Sequence, residues 1–285
     1  MKKLFSVFLL LYFSSNAQIE RIEPPFWWEG MEKSTIQLML YGANLSAFQV
    51  SVPSVKEVQV HRVENPNYLF VDLDLSQQKA GKLTINLIKE SQVHSTLQYE
   101  IKDRNERPEL ESFNASDVIY LLMPDRFANG EPSNDAHITV TEQPNREDKD
   151  GRHGGDIKGI IDHLDYLEEL GVTALWSTPM LEDNDPKVSY HTYAQSDVYR
   201  IDPRFGTNED YRSLADALHK RKMKLIMDYV ANHWGIEHWM IKDLPTADWI
   251  HQFDVYTGTN HRKEIHSDPY AAEIDRKELL KGWFV

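Results

Sequence analysis

The sequence predicts two domains in series, an all-β sandwich followed by an α/β domain built on a parallel sheet, and three observations carry this. Apolar residues recur with period two from Ser34 to about Lys102, and after Phe113 continuous apolar runs alternate with helical spacings. Between the two lies a densely charged stretch, residues 102–112 (KDRNERPELES), which reads as a linker. A chain of 285 residues that is 41% hydrophobic and 27% charged can bury a core in each part, which excludes a disordered, collagen-like or coiled-coil protein.

Residues 1–17 come first and read as a secretory signal peptide. Lys2 and Lys3 give a positive start, residues 4–13 an apolar run, and Ser15-Asn16-Ala17 a small-x-small cleavage site. The run is too short to span a bilayer as a helix, which takes roughly 20 residues. The mature chain is therefore expected to begin near Gln18 and to be periplasmic or secreted, with no transmembrane segment. The absence of cysteine excludes a disulfide framework, a thiolate metal site, a cysteine nucleophile and a lipid-modified N-terminal cysteine. Lys plus Arg total 31 against 45 for Asp plus Glu, a net charge of −14, which suits neither phosphate neutralisation nor a nucleic-acid partner.

In the first domain, residues 18–105, the alternating sets are Ile36/Leu38/Leu40, Val58/Val60, Leu69/Val71/Leu73/Leu75, Leu83/Ile85/Leu87 and Leu97/Tyr99/Ile101. Turn chemistry separates them at Gly42-Ala43-Asn44, Pro53-Ser54, Asn65-Pro66-Asn67 and Ala80-Gly81. Five or more short strands imply a sandwich. Trp27 and Trp28 sit ahead of these strands, either as core or interface anchors or as a sugar-stacking pair.

In the second domain, residues 113–285, the run 118–123 (VIYLLM) predicts a strand buried on both faces. Ile160, Ile161, Leu164, Leu167 and Leu170 then predict a helix stopped by Gly171. Residues 172–177 (VTALWS) predict a second strand. A helix carrying Tyr211, Leu214, Ala215 and Leu218 follows, entered through Thr207-Asn208 with Asp210 in its first turn. Residues 225–229 (LIMDY) predict a third strand. Periodicity alone leaves open a doubly wound sheet or the start of a (β/α)₈ barrel.

In either fold, functional groups gather at the carboxyl ends of the strands. Asp228 ends the third strand and leads into Tyr229-Val230-Ala231-Asn232-His233, while Tyr190-His191-Thr192-Tyr193 follows the second strand on a long loop. Rings beside carboxylates suit sugars, whose apolar faces stack and whose hydroxyls take charge-assisted hydrogen bonds. A third segment, with Asn129, Glu131, Asn134, Asp135 and Asp156, offers hard oxygen ligands of the kind Ca²⁺ prefers, although a solvated acidic loop has the same composition. EF-hand spacing, HExxH, nucleotide-binding glycine loops and the GxSxG elbow are all absent from the sequence.

Asp228-Tyr229-Val230-Ala231-Asn232-His233 resembles the D-x-V-x-N-H region of the alpha-amylase superfamily, glycoside hydrolase family 13. Gly171 through Pro179 resembles its second barrel strand, and Asp125-Arg126-Phe127 with Gly154-Gly155-Asp156 its first strand exit and the loop beyond. Pro24-Pro25-Phe26-Trp27-Trp28-Glu29-Gly30-Met31 resembles the N-terminal domain of cyclomaltodextrinases and neopullulanases of periplasmic starch-utilisation systems. The resemblance implies an immunoglobulin-like sandwich followed by the first part of a (β/α)₈ TIM barrel. It implies retaining hydrolysis of α-1,4-glucosidic bonds in maltodextrins, cyclodextrins or pullulan. A glucan-binding module without catalysis, or a transglycosylase or branching enzyme, are the alternatives. Asp228 would be a supporting active-site carboxylate rather than the nucleophile, with His233, Tyr193 and His191 binding the sugar. Asn129, Glu131, Asn134, Asp135 and Asp156, with the Gly154 carbonyl, match positions of a structural Ca²⁺ site. The chain departs from the family at Thr192-Tyr193-Ala194, where Gly-Tyr-Trp is common, and at Glu131, where Asp is commoner. The resemblance further places the nucleophile and the general acid on later strands, so residues 1–285 are expected to be an N-terminal portion ending early in the insertion after the third strand and inactive alone. The expected partner is an α-glucan oligosaccharide, and a homodimer of the intact enzyme stays open.

Overall fold

The computed structural model describes residues 19–104 and 112–250, which fall into two compact units divided between Leu110 and Glu111. The expected signal peptide, most of the charged linker and the segment 251–285 lie outside the described residues. Among the described residues no helix is long and apolar enough to cross a membrane.

Among the described residues the first unit contains eight strands: β1 (Arg21–Glu23), β2 (Phe26–Trp28), β3 (Thr35–Tyr41), β4 (Gln49–Ser51), β5 (Val58–His61), β6 (Tyr68–Asp74), β7 (Gly81–Lys89) and β8 (Gln92–Lys102). They form two four-stranded sheets, β1-β3-β6-β5 and β2-β8-β7-β4. Every pairing is antiparallel except β2 with β8. The period-two positions turn inward as expected. Leu38, Leu40, Leu69, Leu73, Ile85 and Leu87 are fully buried between the sheets, with Val58, Val60 and Leu97 packed against them. Each buried aliphatic side chain contributes roughly 1.5–3 kcal/mol. The alternate positions face outward and pair across strands, Gln37 Nε2 donating to Asp72 Oδ1 at 2.8 Å and Thr96 Oγ1 to Asn86 Oδ1 at 2.8 Å. Trp27, opposite Ile101, packs against the core, which gives that ring the anchoring role; Trp28, opposite Lys102, alternates to the other face. Three strands were not signalled by periodicity. β1, β2 and β4 are three residues each, too short for a period to register.

The second unit begins with β9 (Ile119–Leu122), the short helix α1 (Pro124–Phe127), α2 (Ile157–Asp162), α3 (Leu164–Glu169) and β10 (Ala174–Ser177). A two-stranded hairpin of β11 (Leu181–Glu182) and β12 (Asp197–Ile201) follows, then α4 (Asn208–Lys220), β13 (Lys224–Met227) and α5 (Trp239–Lys242). β9, β10 and β13 lie side by side in chain order, all parallel, Leu122 level with Ser177 and Met227. Among the described residues helices cover one face only, where Leu122 and Leu175 meet Ile157, Ile160, Leu164, Leu167, Leu214 and Leu218. This is the arrangement of the first three βα units of a barrel, with the helices outside.

Two expectations for this unit are corrected. The strand expected to be buried on both faces has one open face among the described residues: Ile119 is 44% exposed and Leu121 57%, with Trp176 beside them at 38%. The apolar run records the two faces, but only one meets the helices. The single helix expected through Leu170 is two, because the backbone leaves helical geometry at His163, whose Nδ1 bonds the Gly159 carbonyl at 2.8 Å. Its end is as expected. Gly171, at φ 83°, donates to the Glu168 carbonyl while Val172 N donates to that of Leu167, a Schellman closure. α4 likewise starts in the predicted way, with a capping box in which Thr207 Oγ1 accepts from Asp210 N and Asp210 Oδ2 accepts from Thr207 N.

The amino ends of the three strands share one carboxylate. Asp117, just before β9, accepts from Lys224 Nζ on β13 at 2.7 Å and from Thr173 Oγ1, just before β10, at 2.9 Å. The Lys224 bond and the amide of the Asp117–Asn114 turn hold its carboxyl at about 2.

Candidate active site

Asp228 follows the last residue of β13, so the parallel sheet delivers its side chain to the carboxyl face, half-buried. Tyr193 Oη donates to Asp228 Oδ2 at 3.2 Å. His233 Nε2 donates to the Tyr193 carbonyl at 3.1 Å, and its Nδ1 receives Asn232 Nδ2 at 3.1 Å. The His191 ring lies 5.6 Å from that of Tyr193, and its Nδ1 accepts from Tyr193 N at 3.3 Å. The structure thus brings together all four residues that the sequence singled out, from two loops far apart in the chain. Burial pushes the Tyr193 hydroxyl up, with the Asp228 charge adding to it, so the phenol stays a donor. Burial lowers His191, against the pull of Asp185 and Glu142, so the ring is neutral at pH 7. Tyr193 remains 39% exposed. A carboxylate, two imidazole edges and a partly open ring can bind a polyhydroxylated ligand.

The acidic loop is also brought together in part. Asn129 Nδ2 donates to Asp135 Oδ1 at 2.7 Å, and a Cβ on Gly154, at φ 85°, would stand 2.6 Å from that same oxygen. Asp156 is fully buried and caps α2, accepting from Gly159 N at 2.6 Å, Glu131 N at 2.8 Å and Gly130 N at 3.1 Å. Asn129 Oδ1 and Asn134 Oδ1 are buried oxygens with no hydrogen-bond partner. Glu131 turns away, its carboxylate taking Ser133 Oγ and Ser133 N. Burial, with the charges of Asp156 and Asp125, raises the Asp135 carboxyl. Among the described residues no group of three or more His, Asp or Glu side chains converges as a metal site, so any cation here would lean on the two asparagine oxygens and the Gly154 carbonyl.

Comparison with known families settles the assignment. Residues 121–274, more than half of the chain, match the alpha-amylase catalytic domain, and residues 21–105 match the cyclomaltodextrinase N-terminal domain. The chain belongs to the alpha-amylase family. It is 45% identical to neopullulanase 2 of Thermoactinomyces vulgaris over 45% of this chain and 21% of that protein. It is 37% identical to the cyclomaltodextrinase of Thermoanaerobacter pseudethanolicus over 45% of this chain and 21% of that one. A solved Anoxybacillus alpha-amylase is 40% identical over 52% of this chain and 31% of its own, with a TM-score of 0.44. The matched stretch is thus about a fifth of each curated relative.

In this alpha-amylase-family chain the carboxyl face rests on a buried ionic cluster that sequence reasoning missed. Asp202 accepts from Arg204 Nη2 at 2.6 Å and Nε at 2.8 Å, and Arg152 Nη1 stands 3.7 Å away. Arg152 Nε lies 3.7 Å from Asp125, and its Nη1 donates to the Ser189 carbonyl at 3.1 Å. Asp125 in turn receives His153 N at 2.8 Å. All four side chains are at most 1% exposed. The cluster ties the exit of β9 to the loop that carries His191 and Tyr193. The local signals were the Asp-Pro-Arg spacing at 202–204 after a strand and the Asp125-Arg126-Phe127 motif; Arg152 has none, and nothing local joins the four residues.

Proposed function

We propose that the full protein hydrolyses α-1,4-glucosidic bonds of maltodextrins, cyclodextrins or pullulan with retention of configuration, outside the cytoplasm after cleavage near Gln18. The observation that carries this is the convergence of Asp228, Tyr193, His233 and His191 on the carboxyl face of a parallel sheet. The names of its relatives, a neopullulanase and a cyclomaltodextrinase, narrow the bond and the polymers. Tyr193 offers a ring to the sugar, His191 donates to its hydroxyls, His233 does so by exchanging its bond to the Tyr193 carbonyl for one to the ligand, and Asp228 orients the reacting end. A retaining glycosidase works with a nucleophile and a general acid about 5–5.5 Å apart, and Asp228 serves beside that pair rather than as the nucleophile. The test is to incubate the full-length protein, recovered from the periplasmic or culture fraction with residue 18 at its N-terminus, with maltoheptaose, β-cyclodextrin and pullulan and follow the first product by NMR. Release of the α-anomer first is expected; the β-anomer first, or no product from any of the three, overturns the reading.

The same proposal places Ca²⁺ among Asn129, Asn134, Asp135, the Gly154 carbonyl and Asp156, with Glu131 swinging from Ser133 to complete it. The two unpartnered asparagine oxygens beside a raised Asp135 carboxyl support it, since a hard dication satisfies both at once. The ion would be structural and would brace the exit of β9. Chelation is expected to lower the melting temperature of the second unit by several degrees, because an ion bound only to the native state adds RT ln(1 + [L]/Kd). An unchanged melting curve in a metal-free sample leaves a solvated acidic loop.

A further inference from the structure

Tyr193 and His191 sit on the loop between β11 and β12, and that loop is not relaxed: Val188 and Thr192 both hold left-handed backbone, at φ 62° and 54°. Its first half is anchored from outside. Glu142 accepts from Val188 N at 3.0 Å and Ser189 N at 2.7 Å, and Arg152 Nη1 donates to the Ser189 carbonyl. Past Tyr193 the anchor is Asp183, at the base of the same loop and fully buried. Its Oδ2 accepts from Ala194 N at 3.0 Å and its Oδ1 from Asp185 N at 3.0 Å. One carboxylate therefore closes the loop across its neck.

We propose that Asp183 is a positioning residue for sugar binding: by taking the Ala194 and Asp185 amides it holds Tyr193 and His191 in register with Asp228. This rests on the sugar-binding reading of that cluster and extends it to a residue that touches no ligand. The charged groups around Asp183 fix how it behaves. Asp185 lies on its own loop, and Asp202, after β12, accepts from Asp183 N at 3.2 Å. Arg204 donates to the Asp183 carbonyl, not its carboxylate, at 2.6 Å, and both Arg204 and Arg152 are engaged by Asp202. Glu142, like Arg152, is spent on the other end of the loop, and His191 is neutral. Among the described residues no cation is bonded to the Asp183 carboxylate, and its burial, opposed by the two amides and reinforced by Asp185 and Asp202, pushes the carboxyl up to about 7.

Two opposite pH trends follow. The ionised carboxylate is the stronger acceptor for the Ala194 amide, so sugar binding tightens as pH rises through 7. Stability moves the other way. The native state holds a proton that the unfolded chain releases near 3.8, so this contribution is full below 3.8 and is lost as pH rises to about 7. A residue with a merely structural role would move both in the same direction.

The test uses the full-length protein and a non-hydrolysable, thio-linked maltoheptaose by calorimetry from pH 5.5 to 8.5, with melting temperatures measured in parallel, on wild type and Asp183→Asn. Asparagine can accept only one of the two amides and faces the other with N–H. The variant is expected to bind about tenfold more weakly at pH 8, the loss of one charge-assisted hydrogen bond, and to lose the pH dependence of affinity near 7. Equal affinity and an equal pH profile in the two proteins overturn the proposal. Hydrogen exchange without sugar gives the second readout: the peptide spanning 185–196 is expected to exchange faster in wild type at pH 6 than at pH 8 after correction for intrinsic rate, and unchanged protection overturns the proposal even if the variant does not fold. Wild type that binds no maltoheptaose at any pH removes the sugar reading, and the exchange measurement still decides whether Asp183 holds the loop.

Discussion

Asp228→Asn is expected to reduce maltoheptaose turnover by the full-length protein by about 10²–10⁴-fold, the range for losing a positioned charged group at a reacting centre. Asparagine keeps the shape and can still accept from Tyr193 Oη, so the 3.2 Å contact survives and only the charge is lost. A glycosidic transition state gains positive charge on the sugar, and a fixed carboxylate at the end of β13 is placed to favour it over the neutral ground state. The loss should therefore fall on kcat more than on KM. Asp228 is half-buried and its bond from Tyr193 is kept, so the melting temperature should stay within about 2 °C. Steady-state kinetics beside a melting curve decide it: wild-type turnover in the variant would remove Asp228 from the chemistry.

Asp202→Ala is expected to be the most damaging change to stability, at about 3–5 kcal/mol, because it strands two buried guanidinium groups rather than removing one favourable pair. Arg204 would lose both of its bonds to a side chain, at 2.6 and 2.8 Å, and Arg152 one of its two countercharges, the one 3.7 Å from Nη1. At roughly 2–4 °C per kcal/mol for a domain of this size, the second unit should melt about 10 °C lower. Burial pushes the Asp202 carboxyl up, but the Arg204 hydrogen bonds and the Arg152 and Arg204 charges outweigh it, leaving its pKa below 3.8. Its contribution is therefore present above 3.8 and lost as pH falls below that value, and wild type should approach the variant in acid. Calorimetric scans of both proteins at neutral and acid pH measure this; parallel curves at a constant separation would contradict it.

How much was legible in the sequence depends on whether a residue announces itself locally. Leu38, Val71, Ile85 and Tyr99 recur every second residue because each strand has one dry face, and that alternation survives without any knowledge of partners. The Thr207–Asp210 capping box and the Gly171 closure are likewise local chemistry. β11, two residues long, has no period to read, and the break at His163 interrupts the backbone without disturbing the apolar spacing from Ile160 to Leu170. In the site, Asp228 and His233 stood out by their place after a strand. Asp183, Arg152 and Asp202 did not, since a buried charge is recognisable only by the opposite charge or amide that the fold brings to it from far along the chain.

The carboxylate at the opposite end of the sheet has a bearing on all of this. Parallel strands can slide by two residues and still present the same faces, so hydrophobic pattern alone does not fix how far each strand projects. Asp117 removes that freedom, because its bonds to Thr173 and Lys224 are satisfied at one alignment only. A two-residue slip of β13 would displace Asp228 by about 6.6 Å along the strand, well beyond reach of Tyr193. The far rim of the sheet therefore works as the zero mark of a ruler, and the placing of the reactive rim is read from it.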